Sequence, residues 1–209
     1  MSTHSLPLAG ALALACSVPL LASSTASFLG TAAPPASAGP LALVPFSWDP
    51  TPEFDLVTSV ASPLGGNLLF SQPLEHLFYP YSWGSWSHDY EGDVYATAGS
   101  LFSLTITLPA GTGAFAFYAQ PSDLVVQSFS VSESSGPALV EMIDGDSGAS
   151  GFLFRAAPGQ TLDAITIVTS AGFGVGEFSI AAVPEASPAW AGVAVLGACG
   201  LAWRRRRQS

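Results

Sequence analysis

The stretch LFSLTITL, Leu101 to Leu108, places Phe102, Leu104, Ile106 and Leu108 on one side of an extended chain and Leu101, Ser103, Thr105 and Thr107 on the other. Side chains alternate faces along a strand, whereas a helix would scatter these residues around its axis. The run therefore reads as a strand with one face toward a core. Seven further β-rich runs surround it: Asp93–Thr97, Ala114–Ala119, Leu124–Val131, Ala138–Ile143, Gly151–Arg155, Leu162–Thr169 and Phe173–Ile180. Phe115 and Phe117 share a face, as do Phe178 and Ile180. Gly and Pro punctuate the intervals, no helical periodicity competes and no internal repeat is visible. Short strands spaced by roughly 8–12 residues imply an all-β fold, a single antiparallel β-sandwich or jelly-roll-like domain.

Charge is unevenly distributed. The 209 residues contain no lysine, and four of the five arginines are Arg204, Arg205, Arg206 and Arg207. Arg155 is the one permanent cation upstream, against 15 acidic residues, a formal charge of about −14 for that region. Such a body repels phosphate backbones, which argues against nucleic acid as a partner. The two cysteines, Cys16 and Cys199, lie in apolar terminal segments, so the middle of the chain cannot form a disulfide and must be held by its core.

The ends read as sorting signals. Leu6 to Leu21 is an apolar run marked by Pro7 and Pro19, too short for a stable membrane helix and suited to a signal peptide. Ser24-Thr25-Ala26 is the preferred cleavage site and Ala36-Ser37-Ala38 the second. A lipoprotein-type site at Cys16 is disfavoured by Ala13 three residues before it. At the other end, Val183 to Pro188 forms a stiff polar spacer, and Ala189 to Trp203 follows without a charge. As a helix those residues would rise about 22 Å, short of a hydrocarbon core of about 30 Å. Trp190 and Trp203 stand near its ends, and the four arginines would remain on the cytoplasmic side. The expected organisation is a signal peptide over residues 1–26, a flexible linker over 27–40, a β domain over 41–182 and a tail over 183–209.

The order Val183-Pro184-Glu185, short apolar segment, arginine cluster resembles the bacterial PEP-CTERM sorting signal, with Ala186 where that signal usually has a second Pro. The resemblance implies an exosortase-type sorting protease as partner, with Val183, Pro184 and Glu185 as the sorting motif and Arg204 to Arg207 as the stop-transfer cluster. Within the body, Trp86 to Tyr95, Ala114 to Pro121, Gly148 to Phe152 and Phe173 to Phe178 resemble a group of exported PEP-CTERM proteins. That likeness carries no catalytic residue with it.

Four constellations invite chemistry. The aromatic segment Phe78 to Trp86, with Tyr90 beyond, offers Trp83, Trp86 and Tyr90 as a surface on which sugar rings could stack, although such rings also serve as core. His88 with Asp89, Glu91 or Asp93 is the material of a hydrolase site. Asp89, Glu91 and Asp93, or Asp144 and Asp146, supply oxygens of the kind calcium takes, but neither group has an EF-hand order, and solvated acidic turns explain both. Gly145-Asp146-Ser147-Gly148, preceded by His88 and Asp123, has the letters of a chymotrypsin-like nucleophile motif, and a turn between strands explains them better. Gly172-x-Gly174-x-Gly176 falls inside a strand pattern and is no dinucleotide loop.

The sequence thus leads to an exported protein, anchored through its C-terminal helix and then at the cell surface or in extracellular polysaccharide, with no catalytic residue, metal or cofactor expected. A glycan-binding β-sandwich module is the alternative, and a hydrolase a more distant one.

Overall fold

The computed structural model describes residues 23–97, 102–134 and 136–184. The signal peptide core, Glu185, the apolar tail segment and Arg204 to Arg207 lie outside the described residues. No helix among the described residues is long and apolar enough to cross a membrane.

Among the described residues fourteen strands form, and the one helical element is a 3-10 turn at Gly145–Ser147. Eight strands fall on the runs read from the sequence: β7 (Gly92–Thr97), β8 (Ser103–Thr107), β9 (Thr112–Pro121), β10 (Val126–Glu133), β11 (Leu139–Asp144), β12 (Ser150–Arg155), β13 (Ala164–Val168) and β14 (Phe173–Ala182). Six precede them: β1 (Thr25–Gly30), β2 (Ser37–Ala38), β3 (Leu41–Ala42), β4 (Val44–Pro45), β5 (Leu56–Ala61) and β6 (Asn67–Tyr79). Every pairing is antiparallel. One 12-stranded sheet runs β1-β12-β9-β14-β7-β6-β8-β13-β10-β11, with β4 on β14 and β5 on β6. Its two ends, β1 and β11, meet, so the sheet is nearly closed and has a sandwich- or barrel-like form.

β6 turns the corner. Leu69 and Phe70 pair with β8, and Leu74 to Tyr79 pair with β7. Between these blocks lie Ser71, Gln72 and Pro73, which leave the ladders. A proline there forfeits no strand hydrogen bond, because pairing is already broken. Side chains take over: Thr105 N donates to Ser71 Oγ at 3.0 Å and Gln72 Nε2 donates to the Ser103 carbonyl at 3.0 Å.

Inside, one core gathers Phe115, Phe117, Phe152, Phe154, Phe178 and Ile180 with Leu104, Ile106, Phe129, Ile165 and Ile167. Phe102, on the apolar side of the LFSLTITL run, is largely exposed, whereas Leu104, Ile106 and Leu108 are buried. β9 is buried along its whole length because its sheet is covered on both faces. Phe115 and Phe117 point into the main core, while Tyr118 joins Trp83, Trp86 and Val94 in a second cluster on the outer face.

Residues 27–40 do not behave as a linker. β1 pairs with β12 through Thr25↔Arg155 to Phe28↔Phe152, and the Phe28 and Phe152 rings lie 5.5 Å apart. Ala38 is buried with Ala114 and Ala181. The folded unit therefore begins at β1 rather than at residue 41. β1 is short and carries few large apolar residues, so it lacked the period-two signal.

Candidate functional site

Trp83, Trp86 and Tyr90 are not a stacking surface. The segment after β6 folds back over the outer face of β7, β14 and β9, leaving Trp83 8% and Trp86 7% exposed. Glycines on β14 make the room: a Cβ on Gly174 would lie 2.9 Å from Trp83 Cζ2, and one on Gly176 would lie 2.5 Å from the Asp93 carbonyl and 3.4 Å from the Trp86 ring. Both indoles are also committed as donors. Trp83 Nε1 donates to Gln120 Oε1 at 2.6 Å, and Trp86 Nε1 donates to Glu177 Oε2 at 3.0 Å. Tyr90 donates its hydroxyl to the Asp93 carbonyl and lies against Trp86. Burial, with Asp93 and Glu177 nearby, raises the Tyr90 phenol well above its ordinary range, keeping it a donor.

His88 does not pair with Asp89, Glu91 or Asp93. Its Nε2 meets Glu177 at 2.7 and 2.9 Å, and its Nδ1 meets Ser87 Oγ at 2.8 Å and the Thr31 carbonyl at 3.2 Å. A β-bulge makes this possible. Glu177 and Phe178 together oppose Phe117, and Glu177 takes a φ of 51°, so Glu177 faces the aromatic segment while Phe178 stays in the core. Burial raises the Glu177 carboxyl above its usual range, against hydrogen bonds from His88 and Trp86 that favour its charge. Ser87, His88 and Glu177 have the residue types of a nucleophilic triad. Ser87 is buried, however, and the cavity that Glu177 lines is only about 70 Å³.

The second histidine, His76 on β6, is buried beside the loop that follows β4. Its Nε2 lies 2.9 Å from Asp93 Oδ1 and its Nδ1 lies 2.9 Å from the Thr51 carbonyl. Both ring nitrogens thus face oxygens that accept hydrogen bonds. Asp93 Oδ2 accepts from Asp49 N at 2.9 Å, and Asp49 accepts from Thr51 N, Thr51 Oγ1 and the Tyr95 hydroxyl. Burial pushes Asp49 up, but the hydrogen bonds from Thr51 and Tyr95 outweigh it and hold its carboxyl below the ordinary value of 3.8. Burial, with Asp93 and Asp49 alongside, drives the Tyr95 phenol far up. The loop is thereby fixed to β6 and β7.

Above this network stand Phe78 and Tyr81, from the aromatic segment singled out in the sequence, and Trp48, which no sequence pattern had marked. Trp48 is 66% exposed and Tyr81 81% exposed. The Phe78 ring centre lies 4.6 Å from that of Trp48 and 5.7 Å from that of Tyr81, nearly parallel to the latter at 13°. They frame a hollow of about 210 Å³ that Thr51, Glu53 and His76 also line. Glu53 Oε1 accepts from Ser82 Oγ at 2.6 Å. Trp48 lies outside the aromatic run and about thirty positions before its neighbours, so no local pattern announced it.

The remaining motifs are turns. Asp144 accepts from Asp146 N and Ser147 Oγ, both at 3.1 Å, closing the 3-10 turn. That Ser147 bond and the commitments of His88 leave no protease-like triad there. Asp93 is spent on His76 and Asp49, and no cluster of three or more His, Cys, Asp or Glu poised for a metal occurs among the described residues. No family model matches the chain, and no curated protein is significantly similar to it.

Proposed function

We propose that the chain is an exported cell-surface or extracellular-matrix protein, a non-catalytic β domain delivered by its C-terminal sorting tail. The observation that carries this reading is where the domain stops. β14 runs to Ala182, and the motif Val183-Pro184-Glu185 starts at the next residue. Val183 N still donates to the Gly111 carbonyl at 2.8 Å, while Pro184 is exposed. A protease could take the motif without unfolding a strand. Pro184 fixes φ and disfavours helix in the residue before it, which suits an extended substrate. The acidic, lysine-free body and the clustering of four of the five arginines in the tail support the same polarity, with the domain outside and the tail inside. The enclosed histidine–carboxylate pairs support a structural rather than catalytic role for His76 and His88.

The test is topology with processing. Protease added to intact spheroplasts should digest the domain, and Glu185→Ala should accumulate an uncut, membrane-bound precursor. Full protection of the domain, or normal release of the variant, contradicts the proposal.

A further inference from the structure

We propose that the hollow framed by Trp48, Phe78 and Tyr81 binds one ring of a neutral saccharide. The inference stands on this geometry and is independent of how the chain is sorted.

Exposed aromatic rings gathered in one place call for a partner, because they leave apolar surface in water that packing elsewhere would bury. Here the rings are not scattered. Tyr81 stacks on Phe78, Trp48 is tilted against Phe78, and the three line a hollow of about 210 Å³. A pyranose is an amphipathic disc with C–H groups on its faces and hydroxyls around its edge. The C–H face suits the aromatic rings. The edge suits Glu53, whose Oε1 is fixed by Ser82 and whose Oε2 has no partner among the described residues.

The walls are also held in place before any ligand arrives. Trp48 is followed by Asp49, which is tied to Thr51, Tyr95 and Asp93. Tyr81 N donates to the Phe78 carbonyl at 2.8 Å, and Phe78 N donates to Ser82 Oγ at 2.8 Å. A preformed cradle loses little conformational freedom on binding.

Charge narrows the ligand. With Glu53 at the hollow and a body of about −14, an anionic sugar or a phosphate is repelled. Strand addition by a peptide would need an open backbone edge, whereas side chains line this site.

Affinity electrophoresis of the full chain in mild detergent tests the proposal, using gels cast with barley β-glucan, hydroxyethylcellulose or yeast mannan, and alginate as the anionic polymer. Migration should be retarded by at least one neutral polymer and not by alginate. Trp48→Ala and Tyr81→Ala should each weaken retardation about tenfold. Tyr81→Phe, which keeps the ring, and Met142→Ser, an exposed apolar residue outside the hollow, should migrate as the native chain does. Tyr81 is the more exposed ring, so its variants report on binding even if Trp48→Ala disturbs the loop. Free migration in all three neutral gels, retardation by alginate alone, or unchanged retardation of Tyr81→Ala overturns the proposal.

Discussion

Gly174 and Glu177 show how single residues on β14 decide what the aromatic segment does. An indole lies against a face of the strand where only hydrogen would fit, so Gly174→Ala forces Trp83 or Val94 to move. We expect a loss of about 1–3 kcal/mol, read as a lower urea midpoint with an unchanged slope. Glu177 makes a different prediction. Its folded pKa is raised above the ordinary 4.5, so its contribution to stability is present in full below that value and is lost as pH rises through the raised one. Glu177→Gln keeps an acceptor for Trp86 Nε1 and removes the charge. The variant should therefore gain stability relative to the native chain as pH rises from below 4.5 toward neutrality. Paired urea titrations check this, and a gain that appears only in acid would contradict it.

At the scale of elements, the loop after β4 and the strand β1 carry the predictions. The loop is tied down by Asp49, whose folded pKa lies below 3.8. Its stabilising contribution is thus present above 3.8 and lost as pH falls through the folded value. Asp49→Asn should cost stability at neutral pH, with the deficit against the native chain closing in acid. Fluorescence of the exposed Trp48 in thermal melts would follow it. For β1, a mature chain starting at Ser27 keeps Phe28 against Phe152, whereas one starting at Gly39 loses β1 and buried Ala38. N-terminal sequencing should find the former and not the latter. Several of the eight strands read from the sequence carry period-two alternation or paired aromatics, patterns that a single strand displays by itself. β6 escaped notice because Pro73 interrupts it where pairing passes from one neighbour to another, which only the tertiary fold explains. The candidate site was legible as aromatic chemistry but not as a place. Trp83 and Trp86 look as exposable as Trp48 in sequence, and the distinction comes from glycines on a strand about ninety residues away.

At the scale of the whole molecule, a nearly closed antiparallel sheet with both faces of β9 covered can hold itself without disulfides. It ends its last strand directly before the polar spacer and the apolar, arginine-terminated tail. That junction is the centre of the functional account. Mass spectrometry of the mature C-terminus on surface or released molecules tests it most directly. Sorting by cleavage predicts chains ending near Val183-Pro184-Glu185, without Trp203 or Arg204 to Arg207. Finding Trp203 and the arginines on most of those molecules would contradict it and make the tail a permanent anchor.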